Sequence, residues 1–286
     1  MNDDPALRQQ LSAPPERVLS RLVAMGKVMI VAQDGGVTHE RIGTVEKVIK
    51  ADGRLVFAGS AHDRTVDVTQ VASVIADRSG RMKDKVLPKL ELLNGNGELV
   101  FSVVGLDGVE KFDEALARYA GTAAEPRQKE AGTAASLEND DPAMAPLAAA
   151  SESGAEVMIE MQKPGMLQRW SGFVPAMNPA MGFINIIAPD FHLHVRGGCV
   201  ARWDSRDAEA NGHVRLTALD ARGKPIGLAL QGPRGVRGGV TTGVIQGRTM
   251  KGTASLELQQ EQIQTPFLDR FYARTRANAS LLRRFN

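Results

Sequence analysis

Apolar and polar positions change period several times along this chain, and each change marks an expected element. Pro14 and Pro15 precede Val18, Leu19, Leu22, Val23 and Met25, whose spacing predicts a short helix over 14–26. Lys27 to Ala32 then runs as a strand into the turn Gln33-Asp34-Gly35-Gly36. Further strands read at 54–57, 66–68, 71–75, 89–93 and 99–104. Leu93-Asn94-Gly95-Asn96-Gly97-Glu98 is a hairpin loop, because glycine reaches the positive φ of a tight turn without steric cost. Val109 to Tyr119 reads as an amphipathic helix.

The pattern stops at 121–155. That stretch holds no Phe, Tyr, Trp, Ile or Val and is rich in Ala, Glu, Ser and Pro. It offers little apolar area to set against the entropy of ordering it, and it reads as an irregular, flexible linker.

Then the pattern restarts. Val28-Met29-Ile30 recurs as Val157-Met158-Ile159, an offset of 157 − 28 = 129. At that offset Gln33 meets Gln162, Gly36 meets Gly165, Gly43 meets Gly172 and Val45 meets Val174. These are seven identities in positions 28–48, where average composition predicts about one or two. The same offset pairs Gly53 with Gly182, Val66 with Val195, and Val71-Ala72 with Val200-Ala201. A period this long means a duplicated domain, since solenoid units are far shorter. The expected fold is α+β: two tandem repeats, each an antiparallel β-sheet unit with flanking helices. The first repeat spans 1–120, the linker 121–155, the second repeat 156–238, and a basic tail 239–286.

Charge and cysteine content narrow the function classes. Thirty-five Lys and Arg against 33 Asp and Glu give no general attraction to nucleic acid or anionic membrane. One cysteine, Cys199, excludes an internal disulfide and any multi-cysteine metal site; beside Val200 it reads as a small core residue. The start Met1-Asn2-Asp3-Asp4-Pro5 lacks the basic and apolar regions of a secretory signal, and no apolar run approaches the ~20 residues of a membrane span. The expected compartment is the cytoplasm. There is no phosphate-binding Gly-Lys-Ser/Thr loop, no nucleophile elbow and no His-Glu-x-x-His zinc helix.

Several runs together resemble one family. Gly182-Phe183-Ile184-Asn185-Ile186-Ile187-Ala188-Pro189-Asp190-Phe191-His192-Leu193-His194-Val195-Arg196 is similar to the second-repeat signature of the hemin-degrading factors, the HemS/ChuX-like heme-utilisation family. Val37-Thr38-His39-Glu40-Arg41-Ile42-Gly43 and Gly26-Lys27-Val28-Met29 resemble its first repeat, and Val214 to Gly235 its last hairpin. The resemblance covers roughly 18–118 and 155–238, and it is more specific in the second repeat. It implies two stacked, saddle-shaped antiparallel β-units that bind heme in the cytoplasm, some members also cleaving the porphyrin. It implies heme as cofactor, with a heme-delivery protein or a second copy of the chain as partner. Two departures stand out. The family's axial histidine lies in the connector, and 121–155 contains no His. The first-repeat arginine expected opposite the iron falls at Thr65, with Arg64 one place away. The resemblance therefore implies a divergent member that holds heme without a strong axial histidine and does not degrade it efficiently.

Heme iron needs a lone-pair donor, and the propionates favour Arg or Lys. On a strand, His192, His194 and Arg196 share one face while Phe191, Leu193 and Val195 point the other way. The trio reads either as an iron ligand, His192 first, with a propionate anchor, or as a wetted sheet face in which His194 is structural. Arg196 and Arg234 are the propionate candidates. His39 is expected to close the turn before Gly43 by a hydrogen bond; His62 and His213 carry no pattern; Trp170 and Trp203 read as packing.

The tail differs from the rest. Residues 236–286 hold eight Lys or Arg and three Asp or Glu, a net of +5. Thr265-Pro266 predicts a helix start, and Phe267, Phe271 and Leu282 an apolar side over 266–285. Such a helix docks on the body or on a second subunit; the alternatives are a membrane surface or nucleic acid. Two functions follow from the whole: a heme-binding or trafficking protein that can include degradation, or a heme-free interaction module on the same fold.

Overall fold

The computed structural model describes residues 7–125, 136–207 and 212–237. The tail helix expected at 266–285 lies outside them. In the first copy the strands are β1 (Arg8–Leu11), β2 (Lys27–Asp34), β3 (Val37–Thr44), β4 (Lys47–Ala51), β5 (Arg54–Ala58), β6 (Asp63–Asp67) and β7 (Ser73–Asp77). A short ribbon, β8 (Arg81–Met82) with β9 (Lys85–Val86), leads to β10 (Lys89–Leu93), β11 (Leu99–Gly105) and β12 (Gly121–Ala123). The second copy runs through β13 (Glu156–Lys163), β14 (Met166–Phe173), β15 (Asn178–Ala180), β16 (Phe183–Ala188) and β17 (Phe191–Arg196). It closes with β18 (Arg202–Asp207), β19 (His213–Leu219) and β20 (Pro225–Pro233).

The described strands form two large sheets and the small ribbon. The first large sheet has the order β12-β1-β7-β10-β11-β2-β3-β17-β16-β15, and the second β18-β19-β20-β13-β14-β6-β5-β4. Every ladder among the described residues is antiparallel. Neither large sheet belongs to one copy. The meander β4-β5-β6 of the first copy extends the second copy's sheet, and β15-β16-β17 extends the first copy's. The expectation of one sheet per repeat is corrected here. An alternating strand pattern says which face is buried, but the backbone ladder is indifferent to which copy supplies the neighbouring strand.

The exchange follows the 129-residue offset residue by residue. Val37 of β3 lies opposite Val195 of β17, and Met166 of β14 lies opposite Val66 of β6. The two β-hairpin turns are equally reciprocal. Gly36 has φ +87°, and a Cβ there would meet Cys199 Cβ at 2.8 Å; Gly165 has φ +84°, and a Cβ there would meet Gln70 Cβ at 2.8 Å. Gln70 and Cys199 are themselves 129 apart. Glycine recurs at this position because each turn both needs a left-handed backbone and presses against the other copy.

The inward faces of both sheets join one apolar core that includes Ile30, Phe57, Phe101, Ile159, Phe191 and Leu193. Helix α1 (Pro15–Leu19) continues as a 3-10 turn, Ser20–Ala24; Val18, Leu19, Leu22 and Met25 are buried, and Val23 faces solvent. Helix α2 (Val109–Leu116) buries Phe112, Ala115 and Leu116. The span expected as linker is partly built into the fold. It contains β12, paired with β1, and α3 (Met144–Glu152), which buries Leu147 and Ala150. Trp203 Nε1 donates to Pro142 O at 2.9 Å, and Gly198 N donates to Asp141 Oδ2 at 2.7 Å. Small alanine side chains let this segment lie close on the second copy, a gain that composition alone does not register. No helix of the described residues is long and apolar enough to cross a membrane.

A histidine–carboxylate face and candidate functional site

Strand β17 alternates as its sequence suggests. Phe191, Leu193 and Val195 are buried, whereas His192, His194 and Arg196 face outward. The neighbouring strands complete that outer face. Glu40 on β3 lies directly across from His192, and Asn185 on β16 directly across from His194. Cross-strand partners share a face, so four polar side chains converge without any loop.

Hydrogen bonds orient both rings. Asn185 Nδ2 donates to Asn178 O at 2.9 Å, which turns its Oδ1 toward His194 Nδ1 at 2.7 Å. The His194 ring therefore carries its proton on Nδ1 and presents the Nε2 lone pair. Burial lowers the pKa of His194 below its ordinary value, so the neutral ring is favoured. His192 Nδ1 stands 3.1 Å from Glu40 Oε2 and makes the same kind of bond. Glu40, His192 and His194 each offer a ligand atom, all within 4.8 Å of one another. Nothing in the local sequence pattern marks Glu40, because only the β3–β17 ladder places it opposite His192. Half-buried Val31 lies across from Glu40, and exposed Ile187 lies across from His192, so apolar surface flanks the cluster.

The other candidates separate from this face. Arg196 belongs to it and anchors the strand end through its backbone N–H to Gly36 O at 2.9 Å. Arg234 does not. It follows β20 of the second sheet and pairs with Asp207 at 3.3 Å. Arg64 points inward and is fully buried, its Nε donating to Gln168 Oε1 at 2.9 Å and its guanidinium lying 4.3 Å from the Phe101 ring centre. Cys199 is partly buried, and desolvation pushes its thiol up to about 11.

His39 is corrected. It is fully buried, and its Nε2 donates to Ile159 O at 3.3 Å rather than closing the turn at Gly43. The bond to Gly43 O comes from His62 Nε2 at 3.1 Å. Trp170 and Trp203 are packing residues as expected; Trp170 stacks on Phe191 at 4.5 Å between ring centres.

No family model and no curated protein matches the sequence itself. Solved structures do. One is ChuS, an E. coli heme oxygenase, at 16% identity and a TM-score of 0.64, covering 90% of this chain and 88% of that one. The E. coli O157:H7 heme-degrading enzyme ChuS gives 17% identity and a TM-score of 0.65, covering 90% and 86%. Holo-PhuS, a heme-binding protein from Pseudomonas aeruginosa, gives 17% identity and 0.64 over 79% and 82%. The chain has the fold of ChuS and PhuS. The resemblance to hemin-degrading factors read from the run Gly182–Arg196 thus extends to the architecture that carries that run.

Proposed function

We propose that this protein binds heme and works in heme utilisation in the cytoplasm, with His192 as the iron ligand. The observation that carries the reading is the pair of oriented imidazoles on β17. Each has Nδ1 engaged, by Glu40 or by Asn185, and each presents Nε2 outward from a ChuS-like fold. A ring nitrogen whose partner N–H is held by a carboxylate is a more basic, better oriented donor. The donor set therefore suits iron, and the flanking apolar positions, half-buried Val31 and exposed Ile187, suit a porphyrin face. Bound heme supplies the redox chemistry; the chain's residues bind and orient it. Arg196, on the same face, is the propionate partner of this reading. Arg234 has no part in it, since it belongs to the other sheet and is paired with Asp207.

Hemin titration followed at the Soret band tests the reading. Saturation near one hemin per chain is expected, with the band shifted and the affinity reduced at least about tenfold in His192→Ala. A titration without a saturable Soret change would leave the heme-free interaction module as the function of this fold.

A further inference from the structure

Charge bookkeeping on the two outer faces singles out one carboxylate. Glu160, buried on β13, is held by Arg169 at 2.6 Å and by Arg215. Asp77 and Glu91, also buried, share Arg8 and Lys89. Glu40 is different. Its side chain is only 14% exposed, yet among the described residues its one ion-pair partner is His192, which is charged only if protonated. A carboxylate withdrawn from water needs a compensating cation. What faces it instead is a pair of imidazole rings.

We propose that Glu40, His192 and His194 form a binding site for a divalent first-row transition-metal ion. The donor types select this class: imidazole nitrogen with one carboxylate suits zinc or ferrous iron, whereas calcium and magnesium prefer oxygen alone. The geometry agrees. Two donors about 2.0–2.2 Å from one ion lie about 2.8–3.6 Å from each other as the angle between them opens from octahedral to tetrahedral, and His192 Nδ1 and Glu40 Oε2 are 3.1 Å apart. An ion there replaces the shared proton. His194 supplies the third donor from two residues along the same strand, within 4.8 Å, and a small side-chain rotation closes that gap. Asn185 fixes the tautomer of His194, the usual task of a group behind a metal-bound imidazole. Three protein donors leave at least one coordination position for water or an exogenous ligand, as in sites that act on a substrate.

The duplication sharpens the assignment. At the positions 129 residues away, His192 corresponds to Asp63, His194 to Thr65 and Glu40 to Arg169. At these three positions the second outer face thus carries an arginine where the first carries its carboxylate, and no imidazole. The site belongs to one face and is not a by-product of the repeated architecture.

The proposal does not rest on the heme reading, and an ion would compete with heme for His192. It is therefore tested without hemin, on tag-free full-length protein. Zn²⁺ is titrated calorimetrically and Co²⁺ is followed by its d–d absorption. One ion per chain is expected. Glu40→Gln and His194→Ala should each weaken binding at least tenfold, Asn185→Ala should weaken it about 10–100-fold, and His213→Ala should leave it unchanged. Circular dichroism of each variant confirms the fold, which these outward substitutions should preserve. Absence of saturable binding overturns the proposal, as does wild-type affinity in both Glu40→Gln and His194→Ala. A parallel hemin titration reads the other proposal separately: zinc bound without hemin binding sinks the heme reading alone, and hemin bound without zinc sinks the ion site alone.

Discussion

His39 on β3 and Gln168 on β14 occupy the same position in the two copies, and they bond to each other, Gln168 Nε2 donating to His39 Nδ1 at 2.8 Å. Two further bonds mirror one another. His39 Nε2 reaches Ile159 O and Gln168 Nε2 reaches Ile30 O, each at 3.3 Å, and the two isoleucines are again 129 residues apart. The contact therefore lies on the local two-fold of the duplication. Asymmetry enters through Arg64, which places its guanidinium on Gln168 Oε1, and through a Gln168 Nε2 bond to His39 O at 2.9 Å.

That contact predicts a stability effect. Gln168→Ala removes the acceptor of a buried guanidinium and leaves His39 Nδ1 without its donor. A cost of about 2–3 kcal/mol is expected from leaving a buried charged donor unsatisfied. Urea unfolding should show a lowered midpoint with an unchanged slope. A loss under about 1 kcal/mol would mean that water reaches Arg64.

Acid sensitivity should begin well above the carboxylate range. Burial holds His39 down at about 3 and His62 at about 4 in the folded chain. Both titrate near 6.5 when unfolded. Between those values the unfolded state binds more protons, so stability falls as pH drops below about 6.5 and the loss is complete only below the folded values. Each histidine contributes up to about 1.4 kcal/mol per pH unit in that window. Asp77, Glu91 and Glu160 have lowered values despite burial, the cations beside Glu91 and Glu160, and Ser79 with Lys89 and Arg8 beside Asp77, favouring the charged form. Their stabilisation is present above the unfolded carboxylate range and is lost only as pH falls below it. Denaturant titrations at pH 7, 6 and 5 should thus show a histidine slope, to which His194 adds a smaller share, and a shallower slope in His39→Gln.

Bound heme should survive a reductant. Ring cleavage needs iron fixed by a ligand on one side and donors that orient oxygen on the other. Thr65, where the resemblance places the distal arginine, lies on β6 of the second sheet, whereas His192 lies on β17 of the first. Arg64 is turned into the core. In hemin-loaded protein with ascorbate and catalase, the Soret band should persist over the time in which a competent enzyme clears it. Rapid loss of the band with a biliverdin-like product would refute this.

The sequence by itself determined the strand pattern, the duplication and its register. Alternation marked Phe191, Leu193 and Val195 as buried and His192, His194 and Arg196 as outward, and the offset of 129 paired β2 with β13 and β3 with β14. These features are local or repeated, so period and identity expose them. Tertiary structure alone decided that β15-β16-β17 joins the first copy's sheet, that Glu40 therefore faces His192, and that His39 meets Gln168 rather than Gly43. It also decided that α3 packs on the second copy although its composition reads as linker. The reason is physical. A strand's side chains encode which face is dry, but its edge offers the same N–H and C=O groups to any neighbour, so partner choice emerges only when the whole core closes.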